Sequence, residues 1–172
     1  MKRVHRLLLT VLVILSAHAA ACLAEAQCPW MNAATAGGFL GGEVQTTVTA
    51  VTDDGDATCQ FARQVSSGAN AMLRIAVHTM PQASQDYTGY LALCGAGAVP
   101  LKGIGNEAVQ CIPRSGASKG EELIVGRVRD RAFIITIKSQ WINEPPSSPT
   151  KTRNPISDDS ENIAEQVAGS MF

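Results

Sequence analysis

The chain has 172 residues, one domain's worth, with 45% apolar and 17% charged side chains. That balance excludes an intrinsically disordered chain and a coiled coil. A net charge of −1 without a basic block argues against nucleic acid as the main partner. Fifteen Gly and eight Pro, against four Phe, two Trp and two Tyr, predict many turns around a modest core.

The N-terminus reads as a targeting signal. Lys2, Arg3, His5 and Arg6 form a positive region ahead of the apolar run Leu7 to Ala17, whose eleven residues are too few to span a bilayer comfortably. Ala24-Glu25-Ala26 supplies an A-x-A cleavage pattern before Gln27. Residues 1–26 are therefore set aside as a secretory signal peptide, leaving 27–172 as one domain. A second route stays open. Ala19-Ala20-Ala21 precede Cys22 as in a bacterial lipoprotein signal, although Ala19 stands where Leu is usual. By that route Cys22 carries lipid and tethers the domain to a membrane surface, the only membrane attachment the sequence suggests.

Either route leaves Cys28, Cys59, Cys94 and Cys111. An even count in an exported domain reads as two disulfides and a secreted or periplasmic location. No C-x-x-C pair offers a zinc site. Removing Lys2, Arg3, Arg6 and Glu25 moves the net charge from −1 to −3, which points to no particular partner.

From Cys28 the sequence CPWMNAATAGGFLGG predicts a short helix, with Pro29 at its first position and the glycine pairs 37/38 and 41/42 weakening and ending it. Strands are expected at Glu43 to Val51, Ala57 to Arg63 and Asn70 to Thr79. In the last, Leu73, Ile75 and Val77 alternate with Arg74, Ala76 and His78. Gln82 to Cys94 follows with apolar residues at helical spacing, stopped by Gly95. Further strands are expected at Glu107 to Pro113, Glu121 to Arg129 and Arg131 to Lys138, with Asp130 at a hairpin tip. The run Phe133 to Ile137 is apolar on both faces, which places its strand centrally under two covers. Residues 143–155 hold four prolines and form a surface loop. Ser157 then caps a last helix with Ile163, Val167 and Met171 as its apolar stripe.

The order α-β-β-β-α-β-β-β-α is an α+β domain with an antiparallel sheet of about six strands in two weakly repeated halves. Each half carries one Cys at a helix end and one in a following strand. That placement suggests Cys28–Cys59 and Cys94–Cys111, out of the three pairings four cysteines allow.

The segment Cys28-Pro29-Trp30-Met31-Asn32-Ala33-Ala34-Thr35-Ala36, the Gly41-Gly42 that follows, Gly103-Ile104-Gly105-Asn106-Glu107-Ala108, and the C-terminal helix after an apolar hairpin together resemble a class of small bacterial envelope proteins. These are secreted or lipid-anchored, of unassigned function, and similar in layout to the PsbP-like α/β/α sandwich. The resemblance implies an extracytoplasmic domain with no catalytic residues to carry over.

Candidate chemical sites are few. His78 is the only His outside the signal, and it lacks a recognisable nucleophile motif such as G-x-S-x-G; it reads as an exposed strand-end side chain. Asp53, Asp54 and Asp56 fail the calcium-loop pattern, with Gly55 at the third position and Gln64 at the twelfth, and read as a turn. Gly103 to Ala108 lacks the third Gly of a dinucleotide loop and precedes a strand, so a tight turn with positive φ is expected. Ser115 to Lys119 is S-x-x-S and reads as a loop. Arg127, Arg129, Arg131 and Lys138 form a small basic patch, expected as charge on a solvated edge.

No catalytic residue, metal or cofactor is expected. The sequence reads as a non-enzymatic binding or interaction domain for an envelope protein or a small ligand, with an enzyme using His78, or a purely structural envelope component, as alternatives. Export is directly testable. N-terminal sequencing of the mature protein should start at or near Gln27; a lipidated Cys22 would change the processing but not the export. Intact Met1 in a soluble cytoplasmic fraction would overturn it.

Overall fold

Seven strands and three α-helices make up the described part of this computed structural model, residues 27–49, 51–64, 70–114, 116, 118, 121–138 and 158–172. The signal segment with Cys22, the 143–155 loop and Ser157 lie outside the described residues. In chain order the elements are α1 (Ala33–Leu40), β1 (Gln45–Val48), β2 (Ala57–Gln64), β3 (Asn70–Thr79), α2 (Ala83–Leu91), β4 (Val99–Leu101), β5 (Glu107–Cys111), β6 (Glu122–Val128), β7 (Arg131–Lys138) and α3 (Asp158–Gly169). All strands pair antiparallel in one sheet of order β1-β2-β3-β7-β6-β5-β4.

The α+β class is as expected, with seven strands in place of six. The additional strand is β4, three residues with Pro100 in the middle. Proline is tolerated there because β4 is an edge strand, whose outer side needs no ladder donor. Pro29 lies in a bend outside α1. The helix starts later because Asn32 is its N-cap, with Oδ1 accepting from the Thr35 N–H at 2.8 Å. Gly41 closes it in the left-handed conformation, its N–H bonded to the Gly37 carbonyl.

The predicted alternation of β3 sets up the larger core. Leu73, Ile75 and Val77 share one face with their β7 partners Ile137, Ile135 and Phe133. Cys59 and Phe61 of β2 and Ile124 of β6 join them. On this face α1 packs over β2 and β3, while α3 packs over β6 and β7 through Ile163, Ala164, Val167 and Ala168. Gln110 and Glu122 are buried beside each other here, the Gln110 amide donating to the Glu122 carboxylate.

The opposite face is covered only in part among the described residues. There α2 packs on β6 and β7 through Tyr87, with Met80, Cys94, Cys111, Leu123, Val125 and Ala132. The Tyr87 hydroxyl donates to the Val125 carbonyl at 3.3 Å. Burial, helped by Glu107 against the opposing pull of Arg127, pushes this phenol up to about 12. Strand β7 thus lies in the middle of the sheet with a core on each side.

Two glycines permit close approaches. The Phe133 ring lies against Gly126 of β6, where any Cβ would overlap it. Gly105 has φ of 58°, and a side chain there would meet the Arg127 carbonyl. That is the tight turn expected of the Gly103-Ile104-Gly105 segment.

The disulfides are Cys28–Cys59 and Cys94–Cys111, with Cα separations of 5.7 and 5.5 Å. They repeat in sequence order but lie on opposite faces of the sheet, since Cys59 belongs to the larger core and Cys111 to the smaller. The two halves therefore differ in strand count, three against four, and in the face their disulfide occupies, so the repeat goes no further than a helix followed by antiparallel strands. By chain entropy, loops of 31 and 17 residues contribute about 4 and about 3 kcal/mol. Full reduction should lower Tm by about 20 °C or more, read by calorimetry with and without reductant. Non-reducing peptide mapping that returned a Cys28–Cys111 or Cys59–Cys94 peptide would overturn this pairing.

Candidate functional site

On the α2 side of the sheet, β3 and β7 set Arg74 opposite Thr136, Ala76 opposite Ile134, and His78 opposite Ala132. Same-face residues recur about every 7 Å along a strand, so Arg74 and His78 stand roughly 13–14 Å apart at the backbone. Apolar Ala76 and Ile134 lie between them. Leu93, just beyond α2, together with Pro113, Gly116 and Ser118, walls a cleft of about 240 Å³ over this floor.

The two ends of the cleft differ in chemistry. At one end His78 is half-buried and held from two sides. Its Nδ1 lies 3.2 Å from Asp56 Oδ2, and its ring stacks on Tyr90 at 5.6 Å between centroids and 11° between planes. Asp56 Oδ1 also accepts the Thr79 N–H at 2.6 Å. Burial alone would raise the Asp56 carboxyl; the Thr79 and His78 hydrogen bonds outweigh it and hold the group below the ordinary carboxylate value. Asp56 is therefore ionised at neutral pH, which keeps a proton on Nδ1 and leaves Nε2 as the ring's remaining polar atom.

At the other end Arg74 is exposed and has no hydrogen-bond or ion-pair partner among the described residues. Beside it Thr136 is 7% exposed, lines the cleft, and likewise has no partner for its hydroxyl among the described residues. Searches against protein-family models, curated proteins and solved structures returned no match. The chemistry of the cleft therefore rests on its own residues.

The structure redistributes the sequence candidates. His78 does lie at the end of β3, but it is half-buried at the cleft and has a carboxylate partner. The Asp53 to Asp56 segment is a turn, and Asp56 spends its carboxylate on Thr79 and His78. Gly116 and Ser118 of the S-x-x-S loop reach the cleft wall. The basic patch is largely internally engaged: Arg127 pairs with Glu107 at 2.8 Å and lies over the Tyr87 ring, while Arg129 lies over the Phe172 ring. Arg131 reaches the carbonyls of Asp54 and Gly55, and Lys138 stands 3.9 Å from Glu121. Among the described residues, no three His, Cys, Asp or Glu side chains converge as a metal site.

Sequence reasoning missed Thr136, read as part of an uninterrupted apolar strand, and passed over Arg74. The alternation of β3 did carry a signal, because it put Arg74 and His78 on one face. The Asp56–His78 contact spans 22 residues and has no local signature.

Asp56→Asn should remove the charge-assisted contacts and lower stability by about 1 kcal/mol, modest because the site is partly solvated. The depressed folded pKa means this stabilisation is present above the ordinary carboxylate value of about 3.9 and is lost as pH falls through the folded value. Denaturant midpoints from pH 6 down to pH 2 should therefore fall more steeply for the native protein than for Asp56→Asn. Parallel curves would refute the assignment.

Proposed function

We propose that this chain is an extracytoplasmic, non-enzymatic binding domain of a bacterial cell envelope, and that the cleft over the β3–β7 ladder receives a small molecule. The observation that carries this reading is the cleft lining. An apolar floor and a half-exposed Leu93 (50%) lie between two polar ends, the usual composition of a small-molecule site. Two disulfides fit an oxidising compartment. The signal-like residues 1–26 and the poor lipobox at Cys22 support secretion or periplasmic release over a lipid anchor.

The Asp56–His78 contact favours a second reading, an enzyme in which His78 serves as a general base oriented by Asp56. Ser118, the hydroxyl in the cleft wall, makes no hydrogen bond to His78. Native mass spectrometry of protein purified from its own envelope separates the readings. A small adduct that survives in the folded protein and leaves on denaturation is the expected result. Repeated recovery at the bare protein mass, with or without an associated protein, would overturn small-molecule binding and return the chain to a structural or protein-interaction role. Chemical conversion of the released compound by fresh protein, abolished in His78→Gln, would transfer the assignment to the enzyme.

A further inference from the structure

We infer that the cleft selects a monoanionic carboxylate with a compact apolar body and a hydrogen-bonding group at its far end. This rests on the binding reading above and names the ligand class for the same site.

Charge comes first. Arg74 brings a guanidinium to the cleft with no partner among the described residues, while Arg127 and Lys138 on the same sheet face stand beside Glu107 and Glu121. A planar guanidinium matches a carboxylate through two parallel hydrogen bonds. Thr136, directly across the ladder from Arg74, adds a hydroxyl on the cleft lining that has no hydrogen-bond partner among the described residues. That hydroxyl is placed to donate to a ligand oxygen held beside the guanidinium. Among the described residues that line the cleft Arg74 is the one cation, and with the ionised Asp56 behind His78 at the other end this favours a single negative charge over a phosphate dianion.

Shape and the far end narrow the class. Ala76, Ile134 and the half-exposed Leu93 give the ligand's middle an apolar surface. The volume of about 240 Å³ lies between the roughly 150 Å³ that holds benzene and the ~300–1,000 Å³ of drug-sized sites. A single ring or a short branched chain fits that interval. His78 closes the far end; Asp56 occupies Nδ1, so Nε2 accepts from a ligand hydroxyl when the ring is neutral.

The test is a titration of the oxidised protein with 4-hydroxybenzoate, benzoate and 4-hydroxybenzyl alcohol, followed by amide NMR shifts and calorimetry. 4-Hydroxybenzoate should shift the amides of Arg74, Ala76, Ile134 and Thr136. The neutral alcohol should bind about tenfold more weakly or worse, and benzoate several-fold more weakly. Arg74→Gln should bring the acid down to the level of the alcohol, with Thr136→Val losing part of the same difference. Equal binding of acid and alcohol, or full acid affinity in Arg74→Gln, would overturn the anion class while the cleft shifts upheld a binding site. Equal binding of benzoate and 4-hydroxybenzoate would overturn the His78 contact. No shift with any of the three, in protein that native mass spectrometry shows to carry another small molecule, would overturn the ligand class alone. No shift in protein that carries none would remove the binding reading with it.

Discussion

Eight residue pairs join β3 to β7, and every other layer of the molecule is referred to that seam. It unites the two halves of the chain, because β3 ends the first and β7 ends the sheet of the second. Side chains alternate across it with a period of two, so a single register settles both faces together. Leu73, Ile75 and Val77 meet Ile137, Ile135 and Phe133 under α1 and α3, while Arg74, Ala76 and His78 meet Thr136, Ile134 and Ala132 under the cleft. A slip of one residue would drive the Arg74 guanidinium into the core and turn three large apolar side chains outward. Gly126 guards the same register from β6, since it is the position on which the Phe133 ring rests.

Much of this was legible because it is written locally. The limits of β3 and β7 follow from strict alternation and an apolar run, and α3 follows from its i, i+4 stripe. Where the sequence misled, a non-local partner or an edge position decided the outcome. Asn32 displaced Pro29 at the start of α1 because its side chain could cap the Thr35 N–H. Strand β4 escaped because three residues containing a proline carry no periodicity, and only pairing with β5 defines them. The site was half-visible. Arg74 and His78 share a face by alternation, but Thr136 was absorbed into the apolar run Phe133 to Ile137. That a loop carboxylate at Asp56 would close on His78 depends on the β2–β3 register, which sets Ala57 opposite Val77 and brings the two side chains together.

The cysteines link compartment to site. Helix α2 has nine residues and no side-chain cap at its N-terminus, and helices this short are marginal by themselves in water. Its grip on the sheet comes from Tyr87 and from the Cys94–Cys111 bond that follows it. Leu93 immediately precedes Cys94, and Pro113 lies two residues past Cys111, so both walls of the cleft spring from the ends of one disulfide. That bond fixes the separation of the walls over a floor already fixed by the β3–β7 register. The first disulfide, on the other face, anchors Trp30 and Met31 against β2 and has no part in the cleft. An oxidising environment therefore does two separable things for this fold. It secures the larger core through Cys28–Cys59, and through Cys94–Cys111 it shapes the cleft lined by Arg74, Thr136 and His78.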